Sequence, residues 1–191
     1  MLEAPENKSA LAAKFHVTKL DAARRQLKAA ISLWFESGDP VAIHTLACAA
    51  HQIIHDINSK NGGEDLLFDS VIFKDEYRDK VYKLLTKDRN FFKHADADPD
   101  PQGSVEFCPD LTVMFIFMSL KGLQCFGESF NEEEITFLAW HGFTCPEFLT
   151  KKGAAIYSKI SAEARRSITA LPPQRFFKLY TESLKSPIRS R

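Results

Sequence analysis

Arg89 and His94 stand five positions apart in the run Lys87-Asp88-Arg89-Asn90-Phe91-Phe92-Lys93-His94, and these two residue types can act together on a phosphodiester. A guanidinium is permanently charged and forks onto two phosphate oxygens. An imidazole takes or gives a proton near neutral pH. Asn90 adds an amide directly after the arginine, and Lys87 and Lys93 add positive charge on either side. On an ideal helix five residues rotate by about 140°, so Arg89 and His94 do not share a face, whereas Asn90 and His94, at i and i+4, do. Arginine and histidine meet only if the helix bends or ends between them, or if a two-fold axis brings two copies together. The same residues also fit a solvated helix end, with cations at the negative pole of the helix dipole.

A second set of chemistry-bearing residues is His44, Cys48, His51 and His55, at i, i+4, i+7 and i+11 of one helix. His51 and His55 project together and could bite one metal ion, with Asp56 expected to point elsewhere. His44 and His55 lie about 16 Å apart along the axis, too far for one ion to take all four groups. His51-Gln52-Ile53-Ile54-His55 also lacks the glutamate of a zinc-protease helix. The stripe reads first as a semi-polar flank packed on a neighbouring helix or dimer mate. A lining for the Arg-His site and a metal pair are the alternatives. Asp96, Asp98 and Asp100 mimic the start of a calcium loop, but Pro101 replaces the required glycine and Phe107 the bidentate glutamate. They read as an acidic turn that ends the helix, close to His94 and repulsive to RNA.

The elements that must position these groups are helical throughout. Residues 1–16 carry few large apolar groups and are expected to fray. From about Thr18, Leu20, Ala23, Leu27, Ala30, Ile31 and Trp34 recur at spacings of three and four. Gly38-Asp39-Pro40 stops that helix and caps the next, which runs to about Asn58 and buries Ile43, Leu46, Ala47, Ala50, Ile54 and Ile57. A third helix is expected from about Lys74 to Ala95, with Tyr77, Val81, Leu84, Leu85, Phe91 or Phe92, and Ala95 inward. Residues 111–126 are apolar nearly all round, as in the middle of a bundle. Ser129 or Asn131 caps a helix opening on Glu132-Glu133-Glu134, and further helical patterns fall near 161–169 and 173–184. Phenylalanine pairs such as Phe91-Phe92 and Phe176-Phe177 could stack bases, but at helical spacing they read as core.

Lys plus Arg and Asp plus Glu number 25 each, so net charge excludes nothing, but its distribution is uneven. Residues 150–191 hold ten basic and two acidic side chains, leaving the first 149 residues at −8. A basic tail on an acidic body can recruit polyanions or neutralise its own body. The four cysteines form no C-x-x-C pair and fit a reducing, cytoplasmic setting. The polar start lacks a signal-peptide core, and no apolar run approaches the length of a membrane span.

The segment Arg89-Asn90-Phe91-Phe92-Lys93-His94, closing the third helix of a bundle, resembles the HEPN superfamily. Its members are helical bundles carrying an arginine and a histidine separated by four to six residues, often with a polar residue directly after the arginine. The resemblance covers residues 18–127. It implies an all-α, four-helix bundle over 17–127, with a basic helical extension over 128–191. It also implies a homodimer with metal-independent, cofactor-free endoribonuclease activity of the toxin or defence type, and an antitoxin-like protein partner. In the implied mechanism Arg89, Asn90 and His94 are catalytic, and Lys87 and Lys93 contact RNA. A non-catalytic HEPN-like nucleotide- or RNA-binding module and a helical scaffold protein are the alternatives.

Overall fold

The computed structural model describes residues 14–63, 66, 75–96 and 99–185. Within them the chain is all-α: α1 (Lys19–Phe35), α2 (Pro40–Lys60), α3 (Asp75–Phe91), α4 (Asp110–Cys125), α5 (Glu132–Thr144), a 3₁₀ turn (Pro146–Phe148), α6 (Lys151–Tyr157), α7 (Ala162–Thr169) and α8 (Pro173–Lys185). The frayed start expected over 1–16 and the third helix's start at Lys74 fall largely or wholly outside the described residues.

Side-chain caps set several helix starts. Thr18 and Asp21 form a reciprocal capping box at α1. Asp39 accepts from the Ala42 amide, with Pro40 in the first turn of α2. Asn131 and Glu134 form a second box at α5. The turn between α1 and α2 closes through the Gly38 amide, which donates to the Leu33 carbonyl at 2.8 Å. Ser37, not Gly38, takes the left-handed conformation there, at φ 56°. Its hydroxyl accepts a hydrogen bond from Gln174 of α8, which helps to hold a conformation that L-residues otherwise avoid.

The core joins α1 (Ala23, Leu27, Ala30, Ile31, Phe35), α2 (Ile43, Ala47, Ala50, Ile54) and α4 (Phe115, Ile116, Leu120, Leu123). It continues into the segment beyond residue 127. Phe35 meets Phe137 and Trp140 of α5 and Phe177 of α8, at ring separations of 6.4, 6.2 and 4.7 Å. Arg24 of α1 donates to Glu134 at 3.0 Å and to Glu128 at 2.8 Å, so the fully buried Glu134 serves a helix cap and an inter-helix ion pair at once.

Gly122 lets α4 approach α2 closely. A Cβ there would lie 2.4 Å from Ile54 Cγ2 and 2.8 Å from Leu66 Cδ1. Gly122→Ala is expected to destabilise the fold by about 1–3 kcal/mol through overpacking, read as a lower urea midpoint with an unchanged m-value.

Two expectations need correction. The third helix ends at Phe91, four residues before Ala95, and its inward face keeps Val81, Leu85 and Phe92 of the apolar stripe but not Leu84 or Phe91. Leu84 is 62% exposed and Phe91 38%, whereas Leu85, Thr86 and Asp88 are buried. α6 matches no periodic pattern in the sequence. It starts on a Thr150 cap and runs for only seven residues, Lys151–Tyr157, with Gly153 inside it and Ile156 exposed.

Candidate functional site

The chemistry-bearing residues gather where the last turns of α3 lie along α2. Arg89 sits on the flank of α3 that faces α2. Its Nη1 donates to Gln52 Oε1 at 2.5 Å, and its Nε to Asn90 Oδ1 at 3.3 Å. Gln52 passes the link on, because its Nε2 donates to Asp56 Oδ1 at 2.8 Å, and the same oxygen lies 3.4 Å from His55 Nδ1. Asp56 therefore turns towards His55, correcting the expectation that it points elsewhere. Gln52 and Asp56 were not among the candidates from sequence, although their i,i+4 spacing on α2 was the available signal.

His94 lies beyond the helix. The Phe92 amide still donates to the Asp88 carbonyl, and the amides of Lys93 and His94 both donate to the Asn90 carbonyl, so the chain makes one more turn before leaving the axis. Lys87, Asn90, Lys93 and His94 are exposed. The structure thus brings Arg89 to α2 and leaves Asn90 and His94 on the open side.

The histidine stripe divides into a buried part and an accessible end. His44 is fully buried, with Nδ1 2.9 Å from Thr112 Oγ1 and Nε2 3.3 Å from Cys48 Sγ. It is walled by the ring edges of Phe92, Phe107 and Phe115. Burial pushes the Cys48 thiol up to about 12, which removes it as a nucleophile at neutral pH. His51 is also fully buried, against Phe115. Burial first, then the nearby charges of His55 and Arg89, hold His51 down to about 3, so it is neutral at physiological pH. Its ring lies 5.9 Å from that of His55. Among the described residues no three His, Cys, Asp or Glu side chains are placed to hold a metal ion. Asp88, 5% exposed, has an Oδ1 without a hydrogen-bond partner and raises the proton affinity of His44 through its charge.

His44, His51 and His141 share a consequence for stability. Burial lowers the pKa of each in the folded state, so folding favours the neutral ring. Their contribution is complete above the unfolded value of 6.5 and is lost as pH falls towards each folded value. The denaturant midpoint is expected to drop as pH is lowered from 6.5, with His51 alone contributing about 1.4 kcal/mol per pH unit. His51→Leu should flatten that slope.

Elsewhere, Phe115 and Phe176 are core, Phe92 packs on Phe107 at 5.1 Å, and His141 stacks on Phe117 at 4.4 Å. The described basic side chains of α6 to α8 are exposed, and Lys185 pairs with Glu132 at 3.3 Å. Among the described residues no helix is long and apolar enough to cross a membrane. Comparison with protein-family models, curated proteins and solved structures found no match.

Proposed function

We propose that the chain is a HEPN-like protein that cleaves RNA without a metal, at a composite site where the α3 ends of two copies meet. The observation that carries this reading is the end of α3 at Phe91. It falls between Arg89 and His94, but helical bonds continue as far as His94 and Arg89 stays on the α2 flank, so a second copy is what would bring an arginine to a histidine. A second support is the open side of α3, where the exposed apolar groups of Leu84 and Phe91 lie beside Lys87 and Asn90. A two-fold through that face would bury the apolar groups and bring both motifs together.

In that assembly His94 takes the proton of a ribose 2′-hydroxyl, and the 2′-oxygen attacks phosphorus. The bond from phosphorus to the 5′-oxygen breaks, and an imidazolium returns a proton to that oxygen. Arg89, anchored through Gln52, stabilises charge on the non-bridging oxygens. Asn90 orients the imidazole, while Lys87 and Lys93 hold the flanking backbone. The products are a 2′,3′-cyclic phosphate and a 5′-hydroxyl. A toxin or defence role with an antitoxin-like partner follows from the same reading.

The bond from Arg89 to Gln52 and the burial of Asp88 favour a second reading, a structural helix end in a non-catalytic module or scaffold. Incubation of a generic RNA with purified protein in EDTA separates the two. Cleavage that persists in EDTA and is lost in both Arg89→Ala and His94→Ala supports the nuclease. Absence of cleavage, or cleavage surviving both substitutions, supports the structural role.

A further inference from the structure

The accessible end of the histidine stripe has no part in the cleavage site, and it opens onto a separate cleft. Between the start of α1 and the last turns of α2 lies a space of about 290 Å³. Lys19, His55, Asp56, Ser59 and Lys60 line it, together with the apolar side chains of Ile53 and Ile57. This is the lower edge of the volume range of ligand sites, about 300–1,000 Å³, and suits a small polar group better than an extended molecule.

Its charge identifies the kind of group. Two ammonium side chains face one carboxylate, within a 149-residue stretch whose net charge is −8. Among the described residues neither Lys19 nor Lys60 is in an ion pair. Asp56, the one carboxylate lining the cleft, is already engaged by Gln52 and faces His55. Gln52 is itself held through Arg89. The histidine is thereby oriented, and the lysines are available to an incoming anion.

We propose that this cleft binds a phosphate oxyanion. Lys19, Lys60 and the Ser59 hydroxyl donate to its oxygens. His55, with Nδ1 3.4 Å from Asp56 Oδ1, walls the cleft beside them. Charge-assisted contacts of this kind are stronger than neutral ones. The cleft requires neither His94 nor a second subunit, so its fate is independent of the cleavage reading.

The test is titration of the full chain with inorganic phosphate at constant ionic strength, followed by amide NMR shifts. Shifts concentrated at Lys19 and at residues 55–60 are expected, with affinity about tenfold weaker in Lys19→Ala/Lys60→Ala. Two competition arms identify the source of the phosphate. Displacement by adenosine 5′-monophosphate alone indicates a free phosphomonoester, and displacement by an oligoribonucleotide indicates a backbone phosphate, and each supports the site. Shifts scattered over the surface, equal shifts with chloride, or unchanged affinity in the folded double variant would overturn it.

Discussion

Arg89→Ala is expected to lower RNA cleavage by about two to three orders of magnitude, the usual cost of removing one donor from a developing oxyanion. The folded state should lose far less. The substitution leaves the half-buried Gln52 Oε1 without the donor it now has, a cost of about 1–3 kcal/mol. Arg89→Lys discriminates further. An ammonium restores the charge but not the fork that reaches Gln52 and Asn90 while facing a phosphate, so most of the activity should stay lost. A single-turnover assay on variants shown to be folded reads both effects. Equal losses of activity and of stability across the series would assign Arg89 to the structural helix end.

The second large effect lies in the core. Phe35→Ala is expected to destabilise the protein by about 3–5 kcal/mol, because the ring is 1% exposed and touches Phe137, Trp140 and Phe177. Those partners belong to α5 and α8, so a single cooperative transition should weaken throughout. Urea unfolding followed by far-UV dichroism and by tryptophan fluorescence checks this. The fluorescence reports from this cluster, since the chain's two tryptophans, Trp34 and Trp140, lie 5.6 Å apart within it. Coincident shifts of both probes are the expected result. Separate transitions would mean that the segment beyond residue 127 folds on its own.

Much of this architecture is legible in the sequence. Asp39 announces the start of α2 because its side chain satisfies an amide that the helix leaves open, and of Ser129 and Asn131 it is Asn131 that caps α5. The apolar recurrences in α1 and α2 name most of the residues found buried, and the apolar run of α4 marks it as central. In α3 the apolar pattern places Val81, Leu85 and Phe92 correctly but also points Leu84 inward, whereas the helix buries Thr86 and Asp88 and sets Arg89 against α2. Polar partners on α2 thus chose a face that hydrophobic periodicity could not rank. α6 is not legible, because seven residues interrupted by a glycine carry too little pattern.

The candidate site was legible only in its parts. The motif and the histidine stripe stood out by residue type, and the divergence of Arg89 from His94 followed from helical geometry. The link from Arg89 through Gln52 to Asp56 and His55 joins two helices 37 positions apart in sequence. No local spacing encodes it. Nor could residue type show that His44 and Cys48 are enclosed core groups while His55 lines an open cleft.

The most direct test of the central claim, a composite site shared by two subunits, is complementation in EDTA between Arg89→Ala and His94→Ala. Each variant alone should be inactive. After mixing and subunit exchange, heterodimers retain one intact combination of Arg89 from one chain and His94 from the other, so cleavage should return to about a quarter of the wild-type level. Failure of the mixture to recover cleavage, with wild-type protein active and exchange verified, would contradict the account.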